Sequence, residues 1–186
     1  MSPPRQRRRW ALWALCIVPL TTGLAFIWLG ARIDSSFEVE AHAWIRADPL
    51  AIHQSLLRYE DWPTWYLPLR EGRSIDIEEA SDDDDPHMQW KAAGQAFSLH
   101  VRSAQPTTGV RYERNGLADA DINGAVMWEL HEGLALLRWV EVTHMAETGW
   151  RKWRRFPREH EARKRREVEL QSMLDHHGWL RVDGPF

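Results

Sequence analysis

Residues Phe37–Pro68 read FEVEAHAWIRADPLAIHQSLLRYEDWPTWYLP, and their reading decides the fold. In 37–46 apolar and polar residues alternate. Phe37, Val39, Ala41, Ala43 and Ile45 share one face; Glu38, Glu40, His42, Trp44 and Arg46 share the other. That period of two predicts a strand buried on one side. Asp48-Pro49 then offers an N-cap followed by Pro at the first helical position. Leu50, His53, Leu56 and Leu57 are expected on the inward side of the helix that follows. In 59–68, Pro63 and Pro68 limit the chain to a short helical turn or loop.

Upstream, residues 1–9 are short and basic, and 10–31 hold no charge: WALWALCIVPLTTGLAFIWLGA. A helix of that length spans about 33 Å, enough for a hydrocarbon core of about 30 Å. Trp10, Trp13 and Trp28 fall near its ends, where indoles favour the interface. Four Arg precede the run, so the positive-inside rule puts the N-terminus in the cytoplasm and residues 32–186 on the outer side. A cleaved secretory signal is the competing reading. The run is longer than a usual signal core, and Leu29-x-Ala31 is a poor small-x-small site, which favours an uncleaved anchor over 10–31. The single cysteine, Cys16, lies inside this run, so neither an intrachain disulfide nor a cysteine metal cage is available.

Downstream, strands are expected at 74–79, 87–93, 96–105 and 110–115, with a loop at 81–86 and another at 115–121. The clearest hairpin joins 122–130 to 134–145 through His131-Glu132-Gly133, with Gly where a positive φ is needed. A two-residue Glu132-Gly133 loop sets Trp128 opposite Leu137 and Val126 opposite Trp139. One face then carries Val126, Trp128, Leu130, Ala135, Leu137, Trp139 and Glu141. A long helix is expected over 150–177, with a break at Pro157 and Gly178 as its stop. Strands joined by short turns, with helices at both ends of the run, give an α+β domain over 36–180 built on a meandering antiparallel sheet.

The net charge of −3 is unevenly spread: residues 32–149 carry −11 and residues 150–186 carry +4. An acidic body argues against a nucleic-acid surface. The acidic run Asp82–Asp85 lacks the ligand spacing and turn glycine of a calcium loop. The nine histidines contain no zincin-like pair, and neither a phosphate loop nor a nucleophile elbow occurs. No metal and no cofactor is expected. The twelve Trp imply a large aromatic core, an aromatic-lined cavity, a membrane-facing rim, or some of each.

The opening strand 37–45, the cap and helix Asp48-Pro49-Leu50…Leu57 and the turn Tyr59-Glu60-Asp61-Trp62-Pro63-Thr64-Trp65 together resemble the START-like helix-grip proteins. These form the SRPBCC superfamily, with polyketide cyclase-like and lipid-transfer members. The late Trp128/Trp139 hairpin and the final helix fit as well. The resemblance covers about 37–177 and extends to bacterial members with one N-terminal membrane helix. It implies a curved antiparallel sheet wrapped on a C-terminal helix, with a cavity for a hydrophobic or lipid-like small molecule between them. On that reading Trp90, Phe97, Tyr112, Trp128, Leu137 and Trp139 line the cavity, and the domain binds without catalysis.

Two alternatives remain open. A cyclase- or hydrolase-like enzyme would use Glu141 as base, its pKa raised if the Trp128/Trp139 face is concave; the competing reading of Glu141 is an ion pair with a neighbouring Arg, or a strand edge in water. An envelope protein-interaction module would use Trp62, Trp65 and Tyr66. Tyr112 and Arg114 share a strand face and could orient a polar head group. The basic-aromatic segment 150–166 could contact anionic lipid; the competing readings are a solvated helix face or docking on the acidic body.

Overall fold

A computed structural model describes residues 4–78, 87–117 and 120–184; within these, the side chains of 4–16, 73, 78 and 117 lie outside the description. Helix α1 spans Pro4–Arg32. Strand β1, Ser36–Ile45, leads to helix α2, Pro49–Leu56. A 3-10 turn at Tyr59–Asp61 and two one-turn helices follow, α3 at Trp62–Trp65 and α4 at Leu67–Arg70. Six strands come next: β2 Arg73–Glu78, β3 His87–Ala92, β4 Gln95–Gln105, β5 Gly109–Leu117, β6 Ala120–His131 and β7 Leu134–Met145. A 3-10 turn, Gly149–Arg154, feeds the long helix α5, Arg155–His177, and a two-residue β8, Arg181–Val182, closes the chain.

All eight strands form one antiparallel sheet in the order β2-β3-β4-β5-β6-β7-β1-β8. The alternation in 37–45 is realised in full, every odd residue from Phe37 to Ile45 being buried. Asp48 accepts a hydrogen bond from the Leu50 amide at 2.7 Å, the cap its position predicts. The β6–β7 hairpin has the expected register, with Trp128 opposite Leu137 and Val126 opposite Trp139. Its loop residues Glu132 and Gly133 have φ of 51° and 83°, the positive pair of a type I′ turn.

Several expectations need correction. The inward side of α2 is Ile52, His53 and Leu56, while Leu50 is 54% exposed because it sits in the first turn beside the cap. The loop expected at 115–121 is shorter, since β5 runs through Leu117 and β6 starts at Ala120. The loop expected at 81–86, with its acidic run, lies outside the described residues. Pro157 does not break the last helix. It lies in the first turn of α5, where an amide has no partner within the helix to lose. Gly178 does end it, in the left-handed conformation at φ 66°.

The helix α5 buries Arg166, Glu169, Leu170, Met173 and Leu174. These positions repeat at three and four residues and so form one stripe. Trp150, Trp153 and Phe156 do not pack on the sheet: Trp153 stacks on Phe26 of α1 at 4.9 Å, and the other two are exposed. The space between sheet and α5 is filled largely by α3. Trp62, Trp65 and Tyr66 are fully buried there, Trp62 donating to the Leu56 carbonyl at 2.9 Å and Trp65 meeting Trp139 edge-on at 5.5 Å. The aromatic turn is thus a plug inside the grip, and its Trp62, Trp65 and Tyr66 side chains offer no exposed surface for a protein partner. Among the described residues no helix is long and apolar enough to cross a membrane. That description excludes the side chains of the first part of the uncharged run 10–31.

Candidate functional site

The plug leaves one end of the grip open. A cleft of about 370 Å³ lies between α5 and the sheet. Its apolar wall is Phe37 from the start of β1, Ala120 and Ile122 from the start of β6, and Ala162 from α5. Its polar surface is Glu141 and Thr143 from β7, Arg114 from β5, and Arg158, Glu161, Arg165, Arg166 and Glu169 from α5. The sheet residues come from the strand ends nearest α1, where the Met145 amide bonds the Ser35 carbonyl at 2.9 Å.

The deepest group is Glu141, and alternation along β7 explains its burial. It follows Leu137 and Trp139 on the inward face, so the strand carries a carboxylate into the core. It is held there on several sides. Tyr112 donates its hydroxyl to Oε1 in a short bond, and Tyr66 donates to the same oxygen at 3.2 Å. Arg166 forms a close ion pair with Oε2, and Arg114 stands 3.9 Å away. The surrounding bonds extend the network: Trp139 Nε1 donates to the Tyr112 hydroxyl at 2.8 Å, and Arg114 Nη1 donates to the Tyr66 hydroxyl at 2.7 Å. The Arg166 guanidinium also lies over the Trp139 ring, 4.2 Å from its centre.

These contacts set the charges. Burial alone would raise the Glu141 pKa. Arg166, Arg114 and the Tyr112 hydrogen bond more than offset it and hold the carboxyl below its usual range. Burial drives the Tyr66 and Tyr112 phenols far up, and Glu141 adds to the rise, so both remain donors. Glu141 is therefore an ionised anchor, with its oxygens committed to Tyr66, Tyr112 and Arg166. The raised pKa that the base reading expected does not occur, because two guanidiniums face the carboxylate.

Glu169 is the opposite case. It is 0% exposed, one turn from Arg166, and lines the same cleft. Arg166 Nη1 lies 2.7 Å from Oε2, without hydrogen-bond geometry, and neither carboxylate oxygen has a hydrogen-bond partner. Burial pushes its pKa up to about 7; Arg166 opposes this and Glu141 adds to it.

No family profile and no curated protein matches the sequence. Solved structures do match in shape. The Zhui aromatase/cyclase from Streptomyces sp. R1128 aligns with a TM-score of 0.57 at 11% identity, over 77% of this chain and 94% of that one. SA2116 from Staphylococcus aureus, a protein of unknown function, gives 0.58 at 10% identity, over 77% and 94%. The di-domain ARO/CYC StfQ from the steffimycin biosynthetic pathway gives 0.59 at 9% identity, over 78% of this chain and 51% of that one. This chain has the helix-grip fold.

Within the grip, the six residues expected to line the cavity lie elsewhere. Trp128, Leu137, Trp139 and Tyr112 are buried in the core, Trp128 donating to the Pro106 carbonyl at 3.1 Å. Trp90 and Phe97 stack on each other across β3 and β4 at 5.5 Å. None of the six lines the cleft. The reason is the plug: Trp62, Trp65 and Tyr66 occupy the space these side chains would otherwise have faced. Of the sequence candidates, Glu141 and Arg114 do reach the cleft. Arg166 was missed because the charged run 158–167 reads as a solvated face, and Glu169 because it stands two residues beyond that run. Arg166 lies four and seven residues before Leu170 and Met173, and that spacing was the available signal. The run itself docks on the domain: Arg158 meets Glu147 at 3.4 Å and Arg165 meets Glu71 at 3.4 Å.

Proposed function

We propose that the chain is a membrane-tethered helix-grip domain that holds a lipid-like or otherwise amphipathic small molecule in the Glu141–Glu169 cleft without chemically changing it. The cleft carries this reading. It sets the apolar wall of Phe37, Ala120, Ile122 and Ala162 beside the guanidiniums of Arg114, Arg158 and Arg165. The wall suits an acyl or ring portion, and the guanidiniums suit an anionic or hydroxylated head. At about 370 Å³ the cleft is near the lower end of small-ligand sites, so a whole two-chain lipid would lie partly outside it. A non-catalytic role is supported by Glu141, whose proton-accepting oxygens are already engaged. The tether rests on the uncharged run 10–31 within the helix Pro4–Arg32, with the N-terminus cytoplasmic and the domain outside.

The test uses the full chain, extracted in detergent and analysed by mass spectrometry for bound small molecules beside Ala162→Trp, which fills the cleft from α5. One ligand class is expected with the wild type and none with the variant. A reproducibly empty wild type, or a variant that keeps the ligand, refutes the reading.

One observation favours a cyclase- or hydrolase-like enzyme as a second reading. Glu169, with its pKa near 7, can take or give a proton at neutral pH in the same cleft. Conversion of the bound ligand by the wild type, lost in a Glu169→Gln variant that still binds it, would decide for the enzyme.

A further inference from the structure

The turn Gly149–Arg154 and the start of α5 hold side chains that the core does not use. Trp150 is 51% and Phe156 53% exposed. The segment 149–156 reads GWRKWRRF, four basic residues and no acid. Isolated exposed aromatics need no explanation, but two exposed rings, Trp150 and Phe156, among four cations form a patch.

This patch is latched to the end of α1. Trp153 lies flat on Phe26, and its Nε1 donates to the Phe26 carbonyl at 3.3 Å. Gly30 makes room for the turn: a Cβ there would come within 2.8 Å of Trp153 Nε1 and 2.9 Å of the Trp150 backbone. Lys152 Nζ donates to the Ile33 carbonyl at 3.0 Å, and Arg155 Nη1 to the Asp34 carbonyl at 3.4 Å. The turn is thus held at the level of residues 26–34, where the uncharged run gives way to charge. Carboxylates satisfy part of the patch: Glu147 meets Arg154 at 3.5 Å and Glu159 meets Arg155 at 3.3 Å.

We propose that the 149–156 segment is a docking surface for anionic lipid head groups that seats the domain on its own bilayer. The proposal rests on the tether reading of α1. A tethered domain with a loose link would need no such patch. Here the basic and aromatic residues are fixed at the depth where indoles and Lys/Arg side chains prefer the interface. Each basic side chain near an anionic surface strengthens attachment by about fivefold. The consequence for function is orientation. The strand ends that line the cleft are those nearest α1, so docking holds the cleft at the bilayer side of the domain.

The test uses the full chain with Cys16→Ser and Phe156→Cys, labelled with an environment-sensitive NBD dye and reconstituted in phosphatidylcholine vesicles with or without 30% phosphatidylglycerol. The expected result is a blue-shifted, brighter dye only with phosphatidylglycerol. Arg151→Glu weakens that response by about fivefold or more, and about 1 M salt abolishes it in the parent labelled protein. The salt arm needs no further substitution and so does not depend on variant folding. The same dye signal in both lipids, from protein that resists carbonate extraction, overturns the docking surface and leaves the tether standing. Protein removed by carbonate overturns the tether and the docking surface together.

Discussion

The Glu169→Gln variant gains stability over the wild type as the pH rises. The Glu169 carboxyl is fully buried, its oxygens lack hydrogen-bond donors, and the one cation paired with it among the described residues, Arg166, is shared with Glu141. Its folded-state pKa stands near 7 against an ordinary 4.5. A raised carboxyl pKa means that the folded chain binds more protons than the unfolded chain between those values. Stability from this group is therefore full below about 4.5 and falls as the pH rises towards 7. The rise from 4.5 to about 7 corresponds to about 3 kcal/mol, fully lost only above pH 8. Gln is neutral throughout and carries no such loss. Glu141 and His177, whose pKa values also depart from ordinary, are present in both proteins and largely cancel in the difference. Urea unfolding of the full chain in detergent, followed by Trp fluorescence at pH 5 and pH 8, gives the two differences. Part of the loss has already occurred at pH 5, so their gap is expected to be about 2–3 kcal/mol in favour of the variant at pH 8. A gap of zero, or one of opposite sign, refutes the account of Glu169 as a desolvated, poorly compensated acid.

Other substitutions test other parts of the structure. Glu141→Ala leaves Arg166 buried without its main partner and is expected to cost about 3–5 kcal/mol in the same unfolding assay. Gly124 faces Tyr112 across the β5–β6 pair, and a Cβ there would enter the phenol ring. Gly124→Ala should therefore destabilise by about 1–3 kcal/mol and displace the Tyr112 hydroxyl from Glu141, visible as a change in near-ultraviolet circular dichroism. Trp65→Ala empties part of the plug, with an expected loss of about 3–5 kcal/mol and a lower thermal midpoint. Asp48→Ala removes the cap of α2 for about 1 kcal/mol, and Asp48→Asn should recover most of it.

The fold was legible wherever local chemistry acts alone. The alternation from Phe37 to Ile45, the Asp48-Pro49 cap and the Glu132-Gly133 turn each have one low-energy outcome, and each is found. Register followed from the turn, so Glu141 could be placed on the Trp139 face before any coordinates. Its charge state was not legible, because that depends on Tyr66, Tyr112 and Arg166, which are distant in sequence. The cleft was hidden for a related reason. A concave sheet with six large inward residues suggests an open cavity, until Trp62 and Trp65 turn out to enter it from outside the sheet. What remains open is mixed, an apolar patch beside charged groups, and one of its walls comes from a helix segment whose composition looks solvated.

The central claim is that the space between α5 and the α1-proximal strand ends is a ligand site. Photocrosslinking tests it most directly. Benzoylphenylalanine at position 37 sits in the cleft wall, and at position 38 it points away on the exposed face of the same strand. After irradiation in membranes and intact-mass analysis, the account predicts a discrete small-molecule adduct at 37 and none at 38. No adduct at either position, or the same adduct at both, contradicts it.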